Sequence, residues 1–361
     1  MALNCGIVGI AGSGKTTLFN ALSKGKSSSG QLQGRTNLGQ IEVPDQRLEA
    51  LARIIKPAKV VPTTVEIIDI PGLTKGAGQI KGGNQFLADI RQTDAIIHVL
   101  RCFDDDTVPH IEGSVNPLRD KEIIDLELIT KDIDTVEKKR ERLRKVAAVG
   151  DKDAKRGTEV LTALIEHLEE GSPARTFSIH ENDRKYLDDC YLLTVKPLIY
   201  VCNVDEGSAS AGNQHTAAVQ PVIQAERCEM LIVAAEAESE IARLEDEEDR
   251  KAFLADLGIE EPAVNQLIRA AYNTLRLQTF FTEGPREVRA WTIRAGTPAP
   301  KAAGTIHSDM ERGFIRAEVM RVEDFLSLGS EQACKQAGKF NIEGKNYIVQ
   351  DGDIFHVRFN V

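Results

Sequence analysis

No stretch of this sequence approaches the roughly 18 consecutive apolar residues that a membrane-spanning helix needs. Paired cysteines are missing as well. The six, at positions 5, 102, 190, 202, 228 and 334, show no C-x-x-C spacing. That argues against a disulfide framework or a zinc site, and for reduced, mostly buried thiols in a cytosolic protein. An excess of positive charge is absent: the formal net charge is −10. Bulk non-specific nucleic-acid binding by the whole surface is therefore not expected. Met1-Ala2-Leu3-Asn4 leads straight into an apolar stretch without the charged region and apolar core of a secretory signal. The expectation is a cytoplasmic protein without membrane contact. There is no internal repeat and no low-complexity tract. A chain of 361 residues is long enough for two or three domains at about 150 residues each.

What is present is a phosphate-binding pattern in the right setting. Gly9-Ile10-Ala11-Gly12-Ser13-Gly14-Lys15-Thr16 spells G-x-x-x-x-G-K-[ST]. An apolar run, Leu3 to Val8, precedes it as a strand. Thr17-Leu18-Phe19-Asn20-Ala21-Leu22 follows with apolar residues at helical spacing. Strand, glycine loop and helix together make a phosphate cradle. The glycines turn backbone N–H groups inward, and the helix start adds about half a positive charge. Gly12, Ser13, Gly14, Lys15, Thr16 and Thr17 are the expected phosphate contacts. Lys15 reaches the β- and γ-phosphates as the catalytic cation, and the Thr16 hydroxyl ligates Mg²⁺.

Further along, strand and helix signals alternate. Val65 to Ile70 and Ala95 to Leu100 read as strands, with a helix from Gly83 to Arg91 between them. From about Leu118 to Leu168 apolar residues recur at helical spacing among charges, broken at Val149-Gly150-Asp151. Two long antiparallel helices fit this pattern. Within them, the basic run Lys138 to Lys145 is either a solvated helix face or a local nucleic-acid patch. Sheet signals resume at Pro197–Asn203 and Met230–Ala234, and a helix runs from Pro262 toward Leu277. Val288–Ile293, Phe314–Val319, Tyr347–Val349 and Ile354–Phe359 read as strands of a small α+β module.

The fold expectation is α/β: a doubly wound, mostly parallel P-loop sheet, an inserted helical hairpin and a C-terminal α+β module. The expected boundaries are 1–117 with 190–276 for the nucleotide domain, 118–189 for the hairpin and 277–361 for the last module.

Asp69-Ile70-Pro71-Gly72 is a D-x-x-G element at a strand end. Asp69 can hold Mg²⁺, and the Gly72 N–H can sense the γ-phosphate. Base readers of this class use N-K-x-D; here the run is Asn203-Val204-Asp205-Glu206. Glu206 is one methylene longer than the Asp that accepts from guanine N1–H and N2–H₂. Guanine selectivity should weaken, making ATP a real candidate beside GTP. Leu73, next to the D-x-x-G glycine, cannot orient a water. His110, in the loop after the Ala95–Leu100 strand, is a candidate for that task, and a K⁺ ion is another.

With these residues in hand the chain resembles the YchF family, Obg-related members of the TRAFAC P-loop class. The resemblance runs nearly end to end. It includes Arg101-Cys102-Phe103, Asp134-Thr135-Val136-Glu137, Arg289-Ala290-Trp291-Thr292-Ile293 and Gly313-Phe314-Ile315-Arg316-Ala317-Glu318. It implies a G domain, a coiled-coil insertion and a β-grasp-like TGS domain. It also implies ATP preferred over GTP, slow hydrolysis and association with the ribosome. Asn203 and Glu206 would contact the base, with Ala235 in the last nucleotide-contacting loop. His110 holds the position of the family's proposed catalytic histidine. Two segments depart from the family. Gln33 stands where the Mg²⁺-meeting threonine is expected, with Thr36 as a shifted substitute, and Gly76 to Asn84 is one residue short and lacks its Glu. A module that binds ATP with little hydrolysis, and a GTP-specific switch, remain alternative readings.

Overall fold

The computed structural model describes residues 4–23, 37–72, 74–76, 79–81 and 83–360, with backbone alone between 74 and 84. Gln33, Thr36 and Leu73 lie outside the described residues. The chain forms two compact units. One is Leu3–Gly39 with Glu66–Gln266, and the other joins Gln40–Val65 to Leu267–Val361.

In chain order the first elements are β1 (Asn4–Val8), α1 (Lys15–Leu22), β2 (Asn37–Glu42), α2 (Gln46–Ile55), β3 (Lys59–Val61) and β4 (Thr64–Asp69). The short strands β5 (Thr74–Gly76) and β6 (Gln79–Lys81) pair antiparallel before α3 (Gly83–Arg91) and β7 (Ala95–Arg101). Then come α4 (Pro117–Ala147), α5 (Lys152–Glu169), α6 (Lys185–Asp188), β8 (Leu198–Asn203), α7 (Gln214–Ala225), β9 (Glu229–Val233), α8 (Ala235–Ile241) and α9 (Glu247–Asp256).

The sheet of the first unit has the order β2-β4-β1-β7-β8-β9, and β4, β1, β7, β8 and β9 run parallel. Strand β7 is buried at every position, as a central parallel strand covered on both faces must be. That includes His98, whose burial pushes its pKa down to about 3, so the ring is neutral. This is the expected doubly wound α/β arrangement.

Helix α4 spans 31 residues and serves two cores. Asn116 caps it by accepting from Arg119 N–H, with Pro117 in the first turn, where a missing N–H does no harm. Ile124 and Leu128 join Val8, Ile10, Leu100 and Tyr200 of the sheet core. Ile129 and Val136 pack instead with Leu161, Leu164 and Leu168 of α5. The hairpin is tight at Gly157, where an added Cβ would sit 2.8 Å from both Leu143 Cδ1 and Tyr186 Cδ1. Asp132 ties it to the following chain by accepting from the N–H groups of Leu193 and Thr194, both at 2.8 Å. Much of the basic run is neutralised locally. Lys139 pairs with Asp189, Arg140 with Glu137 at 3.7 Å and Arg144 with Glu141 at 3.0 Å. That favours the solvated-face reading.

The second unit carries α10 (Ala263–Thr274) from Leu267 onward, then β10 (Leu277–Thr282), β11 (Glu287–Arg294), α11 (Ala299–Ile306), α12 (Ser308–Arg312) and β12 (Phe314–Arg321). It continues with α13 (Val322–Leu328), α14 (Glu331–Gln336), β13 (Asn341–Glu343) and β14 (Asp353–Phe359). Its sheet order is β13-β12-β14-β10-β11-β3. A β10–β11 hairpin, a helix on one face, and β14 parallel to β10 form a β-grasp arrangement. Phe280, Phe314, Val319 and Phe355 enclose α11, while Phe281, Val288, Met320 and Phe325 enclose Leu48 and Leu51 of α2.

Two features differ from the sequence reading. Strand β3 adds parallel to β11, with Lys59 opposite Glu287. Lys59–Val61 thus complete a sheet made otherwise from the last hundred residues. Tyr347–Val349 is not a strand. Tyr347 closes a turn by N–H to Gly344 O, and its hydroxyl donates to Asp353, leaving one isolated bridge between Ile348 and Pro298.

Candidate functional site

After β1 the backbone turns through Gly9, Gly12 and Gly14 at φ 153°, 80° and 91°. Glycine is required here on two counts. The positive φ disfavours a side chain, and a Cβ on Gly9 would sit 2.5 Å from Val99 O, or on Gly14 2.1 Å from Asn203 Nδ2. No side chain caps α1 at Gly14, so its first-turn N–H groups face outward for an anion. Ser13 is fully buried and its Oγ has no hydrogen-bond partner. Thr17 is half-buried in the first turn.

Lys15 is 7% exposed, and its Nζ donates to Ile10 O at 2.7 Å. Burial lowers its pKa to about 8, against the opposing pull of Asp69. Asp69 ends β4, and its Oδ2 accepts from Thr16 Oγ1 at 3.0 Å. Burial raises the Asp69 carboxyl, while Thr16, Lys15 and Asn37 oppose the shift. The hydroxyl and carboxylate oxygens thus converge beside a buried lysine, a donor set that fits a hard divalent cation. Gly72 closes over them: a Cβ there would lie 2.5 Å from Lys15 Nζ and 2.9 Å from Gly9 O. The structure brings together Gly14, Lys15, Thr16, Asp69 and Gly72, as the spacing suggested.

Asn203 plays a different part. Its Nδ2 donates to Ser13 O at 3.0 Å, and its Oδ1 accepts from Ala235 N–H at 3.0 Å. Asn203 thus clamps the phosphate loop to the start of α8, and its amide nitrogen carries a second N–H beyond the one given to Ser13 O. Ala235 is 1% exposed and takes part through its N–H. Val204 is buried, and Glu206 is exposed in a single 3₁₀ turn, Glu206–Ser208. That turn is held by Ser208 Oγ donating to Asp205 Oδ1 at 2.9 Å.

His110 has both ring nitrogens engaged by protein in the nucleotide-free chain. Its side chain is 4% exposed. Its Nδ1 accepts from Glu112 N–H at 3.1 Å, which places the proton on Nε2, 2.9 Å from Asp120 Oδ2. Neither nitrogen keeps a free lone pair for a water. The ring ties the loop after β7 to the first turn of α4. That loop does approach the phosphate cradle, for a Cβ on Gly12 would lie 3.5 Å from Pro109 O.

Residues 4–149 match a family profile described as 50S ribosome-binding GTPase. Residues 277–360 match YchF-GTPase_C, described as a protein of unknown function (DUF933). The ribosome-binding ATPase YchF of Bacillus subtilis (strain 168) is 48% identical over 367 residues, which is 100% of each chain. This chain belongs to the YchF family. The ribosome-binding ATPase YchF of Haemophilus influenzae is 46% identical over 365 residues, again 100% of each chain. The solved structure of the Schizosaccharomyces pombe YchF GTPase matches with a TM-score of 0.88 at 34% identity, covering 99% of this chain and 97% of that one.

Within this YchF site, sequence reasoning missed Arg101 as a working residue. It is 1% exposed at the end of β7. Its guanidinium donates to the carbonyls of Phe103 at 3.2 Å, Asp105 at 3.0 Å and Val108 at 2.8 Å. It lies 4.6 Å from the Phe103 ring centroid. Arg101 thus shapes the loop over Gly12 from inside. The available signal was a charged residue closing a largely apolar strand. Among the described residues no helix is long and apolar enough to cross a membrane.

Proposed function

We propose that this YchF protein is a Mg²⁺-dependent nucleotide switch that binds and slowly hydrolyses ATP, accepts GTP as a second nucleotide, and works on the ribosome in the cytoplasm. The observation that carries the reading is the convergence of Lys15, Thr16, Asp69 and Gly72 at one helix start. Lys15 takes the β- and γ-phosphates, Thr16 and Asp69 hold Mg²⁺, and the Gly72 N–H registers the γ-phosphate. When bound, Mg²⁺ neutralises charge on the phosphate oxygens, and the protein's share is positioning and electrostatic stabilisation. ATP is favoured because an exposed Glu206 and a buried Val204 replace the Asp and Lys of a guanine reader. The ribosome is taken from full-length relatives whose names describe ribosome-binding ATPases.

A second reading is an ATP-binding regulatory module with little hydrolysis. It draws support from His110, whose nitrogens are both engaged. Single-turnover hydrolysis of Mg²⁺-ATP and Mg²⁺-GTP separates the two, run with and without K⁺ and with and without ribosomes. Turnover of ATP that ribosomes or K⁺ accelerate supports the switch. Tight ATP binding with no turnover under any condition supports the module, and a large preference for GTP overturns both.

A further inference from the structure

The C-terminal unit holds a second chemical constellation that nucleotide binding leaves unused. Strands β10 and β14 run parallel with Phe281 opposite Ile354. Two residues further along each chain stand Glu283 and His356, at one end of this pair. Glu331 opens α14. One ligand atom from each of Glu283, Glu331 and His356 lies within 4.8 Å of the other two.

The imidazole supplies the decisive detail. His356 Nε2 is buried and makes no hydrogen bond. Glu283 Oε1 stands 3.5 Å from it without the alignment of a donor and acceptor. Two donors bound to one tetrahedral ion at about 2.0–2.1 Å stand about 3.4 Å apart, close to the spacing seen. Glu331 Oε1 accepts from Lys335, and a carboxylate carries a second oxygen.

We propose that Glu283, Glu331 and His356 form a divalent transition-metal site of the Zn²⁺ class, with three protein ligands and one open position. The imidazole nitrogen disfavours Mg²⁺ and Ca²⁺, which take oxygen donors, and one nitrogen with two carboxylate oxygens suits Zn²⁺ or Co²⁺. An ion there would join the end of β10, strand β14 and the start of α14.

The test is a titration of the full chain with Co²⁺, with Mg²⁺-ATP saturating so that the phosphate loop is occupied. One Co²⁺ per chain should bind, displaceable by Zn²⁺, with the visible d–d absorption of a low-coordinate nitrogen–oxygen site. Glu283→Gln keeps the side chain's shape, and His356→Asn removes the nitrogen donor. Each should weaken binding by at least about tenfold, the smallest loss usual when a metal's support is removed. ATP affinity and the metal-free thermal midpoint should stay at the parent's values in Glu283→Gln, and the metal-induced rise in midpoint should shrink. Undiminished Co²⁺ binding in both variants, no binding by the parent, or a thiolate charge-transfer band placing the ion on cysteine would each overturn the proposal.

Discussion

Lys15 allows the phosphate cradle to be tested through a proton. Its ammonium is 7% exposed, and burial pulls its pKa from the usual 10.5 to about 8. At 1.36 kcal/mol for each pKa unit, holding that charge against burial costs about 3 kcal/mol. Triphosphate oxygens beside Nζ restore the charged form, so the bound protein keeps its proton well above pH 8. Between those limits the free protein has released the proton and the complex has not. Binding there must take up a proton, and affinity must fall as pH rises. The dissociation constant for Mg²⁺-ATP should change little up to about pH 7.5. It should then climb toward tenfold per pH unit, reaching roughly thirtyfold at pH 9.5 relative to pH 7.

The stability of the nucleotide-free protein carries the same proton with its own sign. The unfolded lysine holds its proton up to about 10.5, and the folded one only to about 8. The unfolded state therefore binds more protons across that window, and this group's contribution to stability rises with pH between the two values. Calorimetric titrations from pH 7 to 9.5, in two buffers of different ionisation enthalpy, read the proton uptake directly. Lys15→Met should bind ATP at least about a hundredfold more weakly and show no pH step. A parental protein with a flat affinity profile and no proton uptake would refute the reasoning, because Lys15 would then not meet the phosphates.

Asn203→Ala leaves the Ser13 carbonyl and the Ala235 N–H without their buried partner, which should cost about 2–4 kcal/mol in urea unfolding. It should also weaken both ATP and GTP, since the clamp on the phosphate loop serves either nucleotide. Glu206→Asp should shift the ratio of ATP to GTP affinity toward GTP in parallel titrations, and an unchanged ratio would remove Glu206 from base selection. His110→Ala should slow single-turnover ATP hydrolysis by freeing the loop over Gly12, and His110→Gln, which can still donate to Asp120, should recover most of the rate. A Gln variant as slow as the Ala variant would return His110 to the role of base.

Much of the nucleotide unit was legible because its signals are local. The spacing from Gly9 to Thr16 sets the turn by backbone sterics alone, and a largely apolar β7 is readable as a central strand before any contact is known. The roles of Asn203 and His110 were less legible for a common physical reason. A polar side chain is assigned by the partners that reach it, and residue spacing alone does not name them. Asn203 meets Ser13 and Ala235, and His110 meets Asp120 on α4. Residue type announces that a hydrogen bond will be made and leaves its recipient open.

The same limit applies to whole elements, as Gln46–Ile55 illustrates. Leu48, Leu51 and Ile55 recur at helical spacing on α2 and declare one apolar face. Their position between the phosphate loop and Asp69 suggests that the face belongs to the nucleotide domain, and the sequence reading placed it there. The face instead packs with Phe281, Val288, Met320 and Phe325. Two neighbouring interactions settle the choice. β3 follows at once and adds to β11 over Lys59–Val61. At the other end of α2, Arg47 bonds Asp45 at 2.8 Å and Asp351 at 2.6 Å. Neither interaction is written in the amphipathic period of α2, which specifies a buried stripe without naming its partner. Both depend on residues more than two hundred positions away. An apolar stripe does not name the core it enters; here the segment's placement goes with the pairing of β3 to β11 and the Arg47–Asp351 ion pair.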